Sequence, residues 1–293
     1  MKLNYRNNLL TISNCEFPDT NTIFNNFSIS KKKRYEYYQR KRIRINDNYI
    51  SQNHSLTNKD IIYIQLIDEE DQIEPWFEDI SILYEDELFY IVSKPSGMLV
   101  HSDGNETKHT LYNLVKAHYI LHGNNTCVRA IHRLDYETSG AVIFCKIPFF
   151  LPMLDTLLKN KEIYREYDAL VQGKWTVKSM TITEGIARDR HDARKMRISK
   201  QGKYAKTDVK LKKQYSNYSW VHCQLYTGRT HQIRVHLASR QHAILSDPLY
   251  GEKSPLISRL ALHASTVHIP HPLTNTILEV RCPFYPDMRK LIK

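Results

Sequence analysis

The stretch Ile131–Gly140 (IHRLDYETSG) holds the side chains of this 293-residue chain that are best suited to chemistry. It sets one carboxylate, Asp135, between Arg133 and a hydroxyl-rich turn, directly before an apolar segment with strand character. An ionised carboxylate in such a loop can act as a nucleophile or as a base. The alternative interpretation is a surface turn closed by Ser139-Gly140. This stretch alone does not decide between the two.

Other segments in a fixed order bear on that choice. They are Asp86–His101 with its Lys94-Pro95-Ser96-Gly97 turn, Tyr164–Gly173, Gly228–Leu237, Ser246–Gly251 and Leu260–Ala264. Together with the pattern His-Arg-Leu-Asp-x-x-Thr-Ser-Gly in Ile131–Gly140, they resemble the RluA-type pseudouridine synthases over residues 80 to 290. Arg165 stands where that family usually has lysine, and Ser246 where it usually has glycine. Neither departure touches the proposed nucleophile, so both bear on local turn geometry more than on chemistry.

The resemblance implies that the chain converts uridine in RNA to pseudouridine. This reaction detaches uracil from the sugar at nitrogen 1 and rejoins it through carbon 5, without net redox change or ATP, so no cofactor is implied. Asp135 would be the nucleophile or base. It could add to carbon 6 of the ring or assist departure at the anomeric carbon, and the resemblance leaves both routes open.

Further site residues follow from the same resemblance. Tyr167 would stack on uracil and help remove the proton from carbon 5, although a lone tyrosine is by itself more often core filler. Arg234 would favour the charged form of Asp135, with Arg229 as the second candidate. Arg133 would occupy the space that the flipped base vacates. The remaining substrate-binding residues would be His132, Arg229, His231 and Leu262.

Local patterns predict the elements that carry these residues. Apolar spacing predicts a helix over Met153–Lys161 and a strand over Tyr164–Val171. A helix over Thr230–Ser239, capped by Thr230, would place His231 and Arg234 on one face. Zinc is not expected, because His231 and His236 lie five positions apart, about 140° around a helix, whereas a metal pair needs three or four.

Composition indicates a polyanionic partner. The net charge is +11 and the isoelectric point is near 9.3, and clustered lysine and arginine gain affinity by displacing the counterions of phosphates. The segment 31–44 (KKKRYEYYQRKRIR), with interleaved tyrosines, is interpreted as an RNA contact rather than a solvated helix face. Its predicted RNA-binding residues are Lys31, Lys32, Lys33, Arg40, Arg42 and Arg44. For the second basic tract, Arg188–Lys213, an exposed hairpin remains an equal alternative.

The chain is predicted to divide at an acidic linker over residues 71–79, within a wider acidic stretch that begins at Asp68. Residues 1–70 show a capped helix start at Ser30, a strand-turn-strand over Arg42–Ile50 and a strand over Asp60–Ile64. This order resembles a degenerate RNA-binding domain of the ribosomal-protein S-four type. The linker suggests few core contacts between it and residues 80–293. In the latter, alternating strands and occasional helices predict an α+β catalytic domain, and the family resemblance implies a central mixed, mostly antiparallel sheet.

The remaining expectations concern partners and setting. A polar start without a signal peptide, no apolar stretch long enough for a bilayer and five scattered cysteines favour the cytoplasm. We expect a monomer that acts on structured RNA, ribosomal or transfer, without metal or membrane. Two alternatives remain: a non-catalytic RNA-binding or ribosome-assembly protein on the same fold, and an enzyme that cleaves the glycosidic bond. The latter needs a second carboxylate with a role, and the sequence offers none.

Overall fold

The structure, a computed structural model, describes residues 1–67, 72–123 and 127–293. Its strands are β1 (Lys2–Arg6), β2 (Leu9–Ser13), β3 (Ile43–Ile45), β4 (Asn48–Ile50), β5 (Ile62–Gln65), β6 (Ser81–Glu85), β7 (Phe89–Lys94), β8 (Arg129–Ala130), β9 (Ser139–Cys145), β10 (Tyr164–Gln172), β11 (Ser179–Ile182), β12 (Ile186–Arg188), β13 (Met196–Ile198), β14 (Thr207–Gln214), β15 (Tyr218–Leu225), β16 (Leu262–His271) and β17 (Thr276–Arg281). Its α-helices are α1 (Thr20–Asn26), α2 (Lys31–Gln39), α3 (Leu111–Leu121), α4 (Leu151–Lys159), α5 (Gln232–Ser239) and α6 (Pro286–Leu291), and a short 3₁₀ helix spans Pro148–Phe150.

A ten-stranded sheet forms the centre of the larger part of the chain. Eight strands follow in the order β11-β14-β15-β10-β16-β9-β7-β6, while β17 pairs with β16 and β8 pairs with β9. The pairing of β9 with β16 is parallel and the other pairings in this sheet are antiparallel. The predicted mixed, mostly antiparallel sheet of an α+β protein is therefore confirmed.

Strands β7 and β9 are buried along their whole length. Their near-continuous apolar sequences suit strands that are covered on both faces. Strand β10 instead sends alternate side chains to opposite faces of the sheet. Arg165 and Tyr167 line a cavity on one face, and Glu166 and Asp168 line a separate cavity on the other. One strand thus supplies different chemistry to the two faces.

The first 65 residues form a five-stranded antiparallel sheet, β1-β2-β5-β3-β4, with α1 and α2. The Ser30 hydroxyl accepts the Lys33 N–H at 3.3 Å, as predicted for the start of α2. The strand-turn-strand of β3 and β4 is also confirmed. The hairpin of β1 and β2 was not predicted from the sequence.

Aromatic packing joins this small sheet to the larger part of the chain. Phe27 lies 5.4 Å from Phe149 and 5.5 Å from Phe150 between ring centroids, and Tyr37 lies 5.9 Å from Phe149. These rings belong to a buried cluster that also includes Phe24 and side chains of β7 and β9. The expectation of few shared core contacts is therefore wrong. The acidic linker did not reveal this because the joining residues lie far from it in sequence.

The predicted acidic linker is only partly described, since residues 68–71 lie outside the described ranges. From residue 72 onward it packs against the catalytic part. Trp76 contacts the His109 ring at 5.0 Å, its backbone N–H donates to Asn113, and Glu74 pairs with Lys108 at 3.1 Å. Ile73 and Trp76 also pack against the main hydrophobic core. This stretch is a packed segment rather than a free tether.

Three further observations complete the architecture. All five cysteines are buried free thiols. Within the described ranges, no helix combines the length and the apolar character required to cross a bilayer. The second basic tract begins at Arg188, the last residue of β12, and contains β13, which pairs with β12 in an antiparallel hairpin.

Candidate active site

A cavity of about 820 Å³ opens at one face of the large sheet. It is lined by all eight residues that the sequence analysis assigned to catalysis or substrate binding: His132, Arg133, Asp135, Tyr167, Arg229, His231, Arg234 and Leu262. They come from the loop before β9, from β10, from the loop before α5, from α5 and from β16. None of the six predicted RNA-binding residues of the N-terminal run lines this cavity.

The loop that carries Asp135 is fixed by the turn after β7. Lys94 donates from Nζ to the carbonyls of Pro95 at 2.9 Å, Met98 at 2.7 Å and Tyr136 at 3.1 Å. The backbone N–H of Gly97 also donates to the Tyr136 carbonyl, at 2.9 Å. The buried amino group of Lys94 therefore ties the Lys-Pro-x-Gly turn to the residue next to Asp135.

Gly140 fixes the far end of the loop. It has φ +121°, and a Cβ at this position would lie 2.3 Å from the Ala264 carbonyl oxygen. At this point β9 runs parallel to β16, with Gly140 opposite Ala264. Any side chain here would push the two strands apart, which explains why the motif ends in glycine.

Arg234 lies at the centre of the charged groups of the site. Its Nε and Nη2 donate to the two carboxylate oxygens of Asp247 at 2.9 and 2.8 Å, in a fully buried two-bond pair. Its Nη1 lies 3.4 Å from both Asp135 and Glu137. Although burial lowers the pKa of Arg234, the hydrogen bonds and charge of Asp247, with Asp135 and Glu137, raise it above its ordinary value. A permanent cation is thus held against the Asp135 carboxylate.

The geometry favours Arg234 over Arg229 as the partner of Asp135. Arg229 is exposed, and its Nε donates to the Tyr204 carbonyl at 3.0 Å. In the described part of the chain it makes no ion pair with Asp135. Arg133 is likewise exposed at the cavity, as a side chain that enters the RNA stack would need to be.

The predicted start of the third-motif helix is wrong. Helix α5 begins at Gln232, after His231 in a left-handed conformation with φ +54°, and Thr230 does not cap it. The Gln232 side chain replaces the cap, because its Oε1 accepts the Arg229 N–H at 3.0 Å and the Thr227 hydroxyl at 2.7 Å. His231 nevertheless reaches the site, with Nε2 at 3.9 Å from Asp135.

Burial keeps two histidines of the cavity neutral. It lowers the pKa of His231, and the nearby charge of Asp135 only partly opposes this. His231 Nδ1 lies 2.9 Å from the Tyr250 hydroxyl. Burial, aided by the charge of Arg165, sets the pKa of His132 well below its ordinary value. His132 Nε2 accepts the Ile143 N–H at 3.3 Å, so its proton resides on Nδ1.

Tyr167 faces the cavity from β10 and is buried. Burial raises the pKa of its hydroxyl, with Asp135 adding to the effect and Arg165 opposing it. The group is therefore a neutral phenol near pH 7. Leu262, which is opposite Ala169 of β10 in the register of β16, supplies an apolar wall.

Asp247, Glu137 and Lys94 had no predicted role in the site. Asp247 lies in a segment that matched the family, but nothing local pairs it with Arg234. Glu137 is a second carboxylate close to Asp135. It shares Arg234 with Asp135, but it does not line the cavity.

Ser246 shows the consequence of one departure from the family pattern. It has φ +54°, a left-handed conformation that glycine adopts most readily. Its hydroxyl donates to the Ile257 carbonyl at 2.5 Å and accepts the Ser254 N–H at 3.0 Å. These hydrogen bonds offset the free-energy cost of the left-handed backbone at Ser246. The turn that carries Asp247 is therefore retained.

The predicted RNA-binding run is only partly free for RNA. Lys31 and Lys32 are exposed on α2, whereas Tyr37 and Tyr38 belong to the core. Arg40 follows the last residue of α2 and is exposed, but it pairs with Glu36 at 3.1 Å. Arg44 stacks over the Tyr63 ring at 4.2 Å and Arg42 contacts the Leu66 carbonyl at 3.5 Å. Lys33 donates its backbone N–H to the helix cap. The interleaved tyrosines at 37 and 38 are therefore explained by packing, not by RNA stacking.

Lys94 gives this site a measurable pH signature. Burial lowers its pKa from the ordinary 10.5 to about 7, against the opposing charges of Asp135 and Glu137. Between these values the unfolded chain carries a proton on this amine that the folded protein lacks, so its contribution to stability rises with pH. We expect this rise in urea unfolding between pH 7 and 9. The Lys94→Met variant should lose this rise of stability with pH, and the exposed control Lys174→Met should keep it. Equal slopes of stability against pH in the wild type and both variants would contradict the assignment.

Comparison with known proteins places this geometry in a family. The model of the RNA pseudouridylate synthase family matches residues 88–239. The chain is 36% identical over 267 residues to the uncharacterised RNA pseudouridine synthase YhcT of Bacillus subtilis, covering 90% of this chain and 88% of that protein. It is 29% identical over 282 residues to ribosomal large subunit pseudouridine synthase D of Vibrio cholerae, covering 91% and 86%.

A solved structure agrees with these matches. Human RNA pseudouridylate synthase domain containing 1 aligns with a TM-score of 0.61 and 28% sequence identity, over 73% of this chain and 89% of that one. The matched region holds the Asp135 loop, Tyr167 and Arg234, which the fold brings to one cavity. The chain therefore belongs to the RNA pseudouridylate synthase family and is an isomerase that acts on RNA.

Proposed function

We propose that this enzyme isomerises a specific uridine of large-subunit ribosomal RNA to pseudouridine, with Asp135 as the catalytic carboxylate. The observation that carries the proposal is the contact between Asp135 and Arg234 in the cavity that Tyr167 also lines. A partly exposed carboxylate beside a buried permanent cation can reach a substrate atom. The enzyme acts as a monomer in the cytoplasm and needs no cofactor.

The other side chains have distinct roles in this proposal. Arg133 fills the space left when the target base leaves the RNA stack, and Leu262 and Tyr167 hold the uracil ring between them. Because the Tyr167 hydroxyl is neutral near pH 7, it assists removal of the carbon-5 proton as a hydrogen-bonding phenol rather than as a free phenolate base. The route of attack, at carbon 6 or at the anomeric carbon, uses the same Asp135 position.

The choice of ribosomal RNA rests on relatives such as the large-subunit synthase of Vibrio cholerae. Mapping of pseudouridine in ribosomal and transfer RNA from cells with and without the gene tests it. We expect the loss of one or a few sites in large-subunit RNA, restored by the wild-type gene but not by an Asp135→Asn gene. Loss confined to transfer RNA would refute the ribosomal target.

A product assay separates isomerisation from glycosidic cleavage. An isomerase returns every uracil to the RNA, whereas a hydrolase releases it. We expect the purified enzyme to form pseudouridine without free uracil. Because Glu137 does not line the cavity, the second carboxylate near the site is not positioned to activate water for hydrolysis.

We also propose that the exposed cations at the two ends of α2, Lys31 and Lys32 at its start and Arg40 just after its last residue, contact RNA phosphates. The N-terminal region would then position the catalytic cavity on structured RNA through contacts that do not depend on sequence. Deletion of residues 1–70 is a poor test, because it would expose Phe149 and Phe150. Charge removal leaves that packing intact.

The triple variant Lys31→Gln, Lys32→Gln, Arg40→Gln should bind structured RNA more weakly, with a flatter dependence on salt. For every phosphate that the variant no longer neutralises, the log-log salt slope should fall by about 0.7 to 0.9. Fluorescence anisotropy across a salt series measures this, with Lys174→Gln, Lys178→Gln as the exposed control. If the slope of the triple variant matched that of the wild type, the run would be only a solvated helix face.

A further inference from the structure

Arg165 is a buried cation without a counter-ion. Its side chain lies on β10, two positions before Tyr167, and is 9% exposed. Within residues 1–67, 72–123 and 127–293, no carboxylate lies within ion-pair distance of its guanidinium and no hydrogen bond engages it. Its Nε is buried without an acceptor. A charge held in this way is unfavourable unless a ligand supplies the missing partner.

The surroundings of Arg165 do not compensate its charge. It shares its cavity with Lys159, Lys161 and neutral His132, and its Nη2 would lie 3.5 Å from a Cβ at Gly228. The carboxylates of its neighbours on β10, Glu166 and Asp168, line the cavity on the opposite face of the sheet. The nearest catalytic carboxylate, Asp135, is already paired with Arg234. The positive charge at this end of the cavity therefore favours the binding of an anion.

We propose that Arg165 binds a backbone phosphate of the RNA segment that carries the target uridine. This rests on the proposed function, since the RNA substrate supplies the phosphate. A uracil carbonyl could accept a hydrogen bond but would leave the charge uncompensated, whereas phosphate supplies both a charge and several acceptor oxygens. The arginine found here, where the family usually has lysine, offers a planar fork that can hold two phosphate oxygens at once.

Binding measurements give the first test. In an Asp135→Asn background, which separates binding from turnover, Arg165→Met should weaken binding of an RNA hairpin carrying the mapped uridine by about 10- to 100-fold. Arg165→Lys should restore part of this affinity, because it keeps the charge but not the planar fork. Arg281→Gln, an exposed arginine at the opposite cavity that already pairs with Glu279, should leave affinity unchanged. Equal affinity of the Met variant and its parent would overturn the proposal.

Modified RNA gives the second test. A methylphosphonate, which is uncharged, is placed in turn at each phosphate near the target uridine. At one position, the methylphosphonate should weaken RNA binding by the protein that keeps Arg165. At the same position it should hardly change RNA binding by the Arg165→Met variant, because the two changes remove the same interaction. If the effects added at every position, the ligand of Arg165 would not be a backbone phosphate.

Stability separates a ligand-binding role from a structural one. Because Arg165→Met removes an unpaired buried charge, its melting temperature should equal or exceed that of the wild type. Millimolar inorganic phosphate should raise the melting temperature of the wild type and not that of the Met variant. A destabilised Met variant with unchanged RNA affinity would assign Arg165 to the core.

The phosphate measurement also distinguishes two kinds of failure. It does not require isomerase activity, so it can succeed even if no pseudouridine is formed. A phosphate-dependent shift without coupling to any methylphosphonate would mean that the site takes a free anion, which would overturn the assignment to RNA.

Discussion

Asp135→Asn is expected to lower pseudouridine formation by on the order of 10³-fold or more, because the amide can neither attack the substrate nor act as a base. Folding should be preserved, since the Asp135 side chain is 29% exposed and Arg234 keeps its bonds to Asp247. A tritium-release or mass-spectrometric assay on the purified variant measures the loss. RNA affinity should remain close to that of the wild type.

Glu137→Gln is the matched control for this change. Glu137 lies at the same 3.4 Å from Arg234 and is equally exposed, but it does not line the cavity. We expect it to keep most of the activity. Pseudouridine above trace levels from purified Asp135→Asn, or a larger loss in Glu137→Gln, would remove Asp135 from its proposed role.

Arg234→Leu is expected to lose activity nearly as completely as Asp135→Asn, and to lose stability as well. It removes the cation beside Asp135 and also leaves the buried Asp247 carboxylate without its partner, which typically costs about 3–5 kcal/mol. Urea unfolding and the isomerisation assay measure the two effects separately. Arg229→Leu should do less in both assays, because Arg229 is exposed and bonds only the Tyr204 carbonyl through its side chain.

A more conservative variant separates charge from fold. Arg234→Lys keeps a positive charge but cannot reproduce the two-bond contact with Asp247, so we expect a folded protein with reduced activity. If Arg229→Leu proved more damaging than Arg234→Leu, the charge partner of Asp135 would be Arg229.

Local patterns in the sequence predicted individual elements, and the family resemblance predicted the residues of the cavity. The Asp135 loop, the strand of Tyr167 and the capped start of α2 depend on short-range signals such as strand alternation and side-chain caps. The family resemblance, which depends on the order of the motifs, predicted that Asp135, Tyr167 and Arg234 share one site.

Features that depend on distant residues could not be predicted in this way. The Arg234–Asp247 pair joins a helix to a later turn, and no periodicity links the two. The packing of Phe27 on Phe150 likewise joins segments that are far apart in sequence. The β1–β2 hairpin was missed for another reason: Asn7 and Asn8 take the left-handed conformation of a tight turn, which is a weaker signal without glycine.

The parallel pairing of Gly140 with Ala264 has a consequence for the timing of synthesis. Ser139 and His263, which adjoin this pairing and hydrogen-bond at 3.0 Å, are 124 positions apart. Contacts that close such long loops form late, after the local elements on either side. A ribosome that is still translating the middle of the chain therefore carries a nascent protein whose Asp135 loop lacks its far anchor. We therefore expect activity to begin only after β16, which also carries Leu262 of the cavity wall, has emerged.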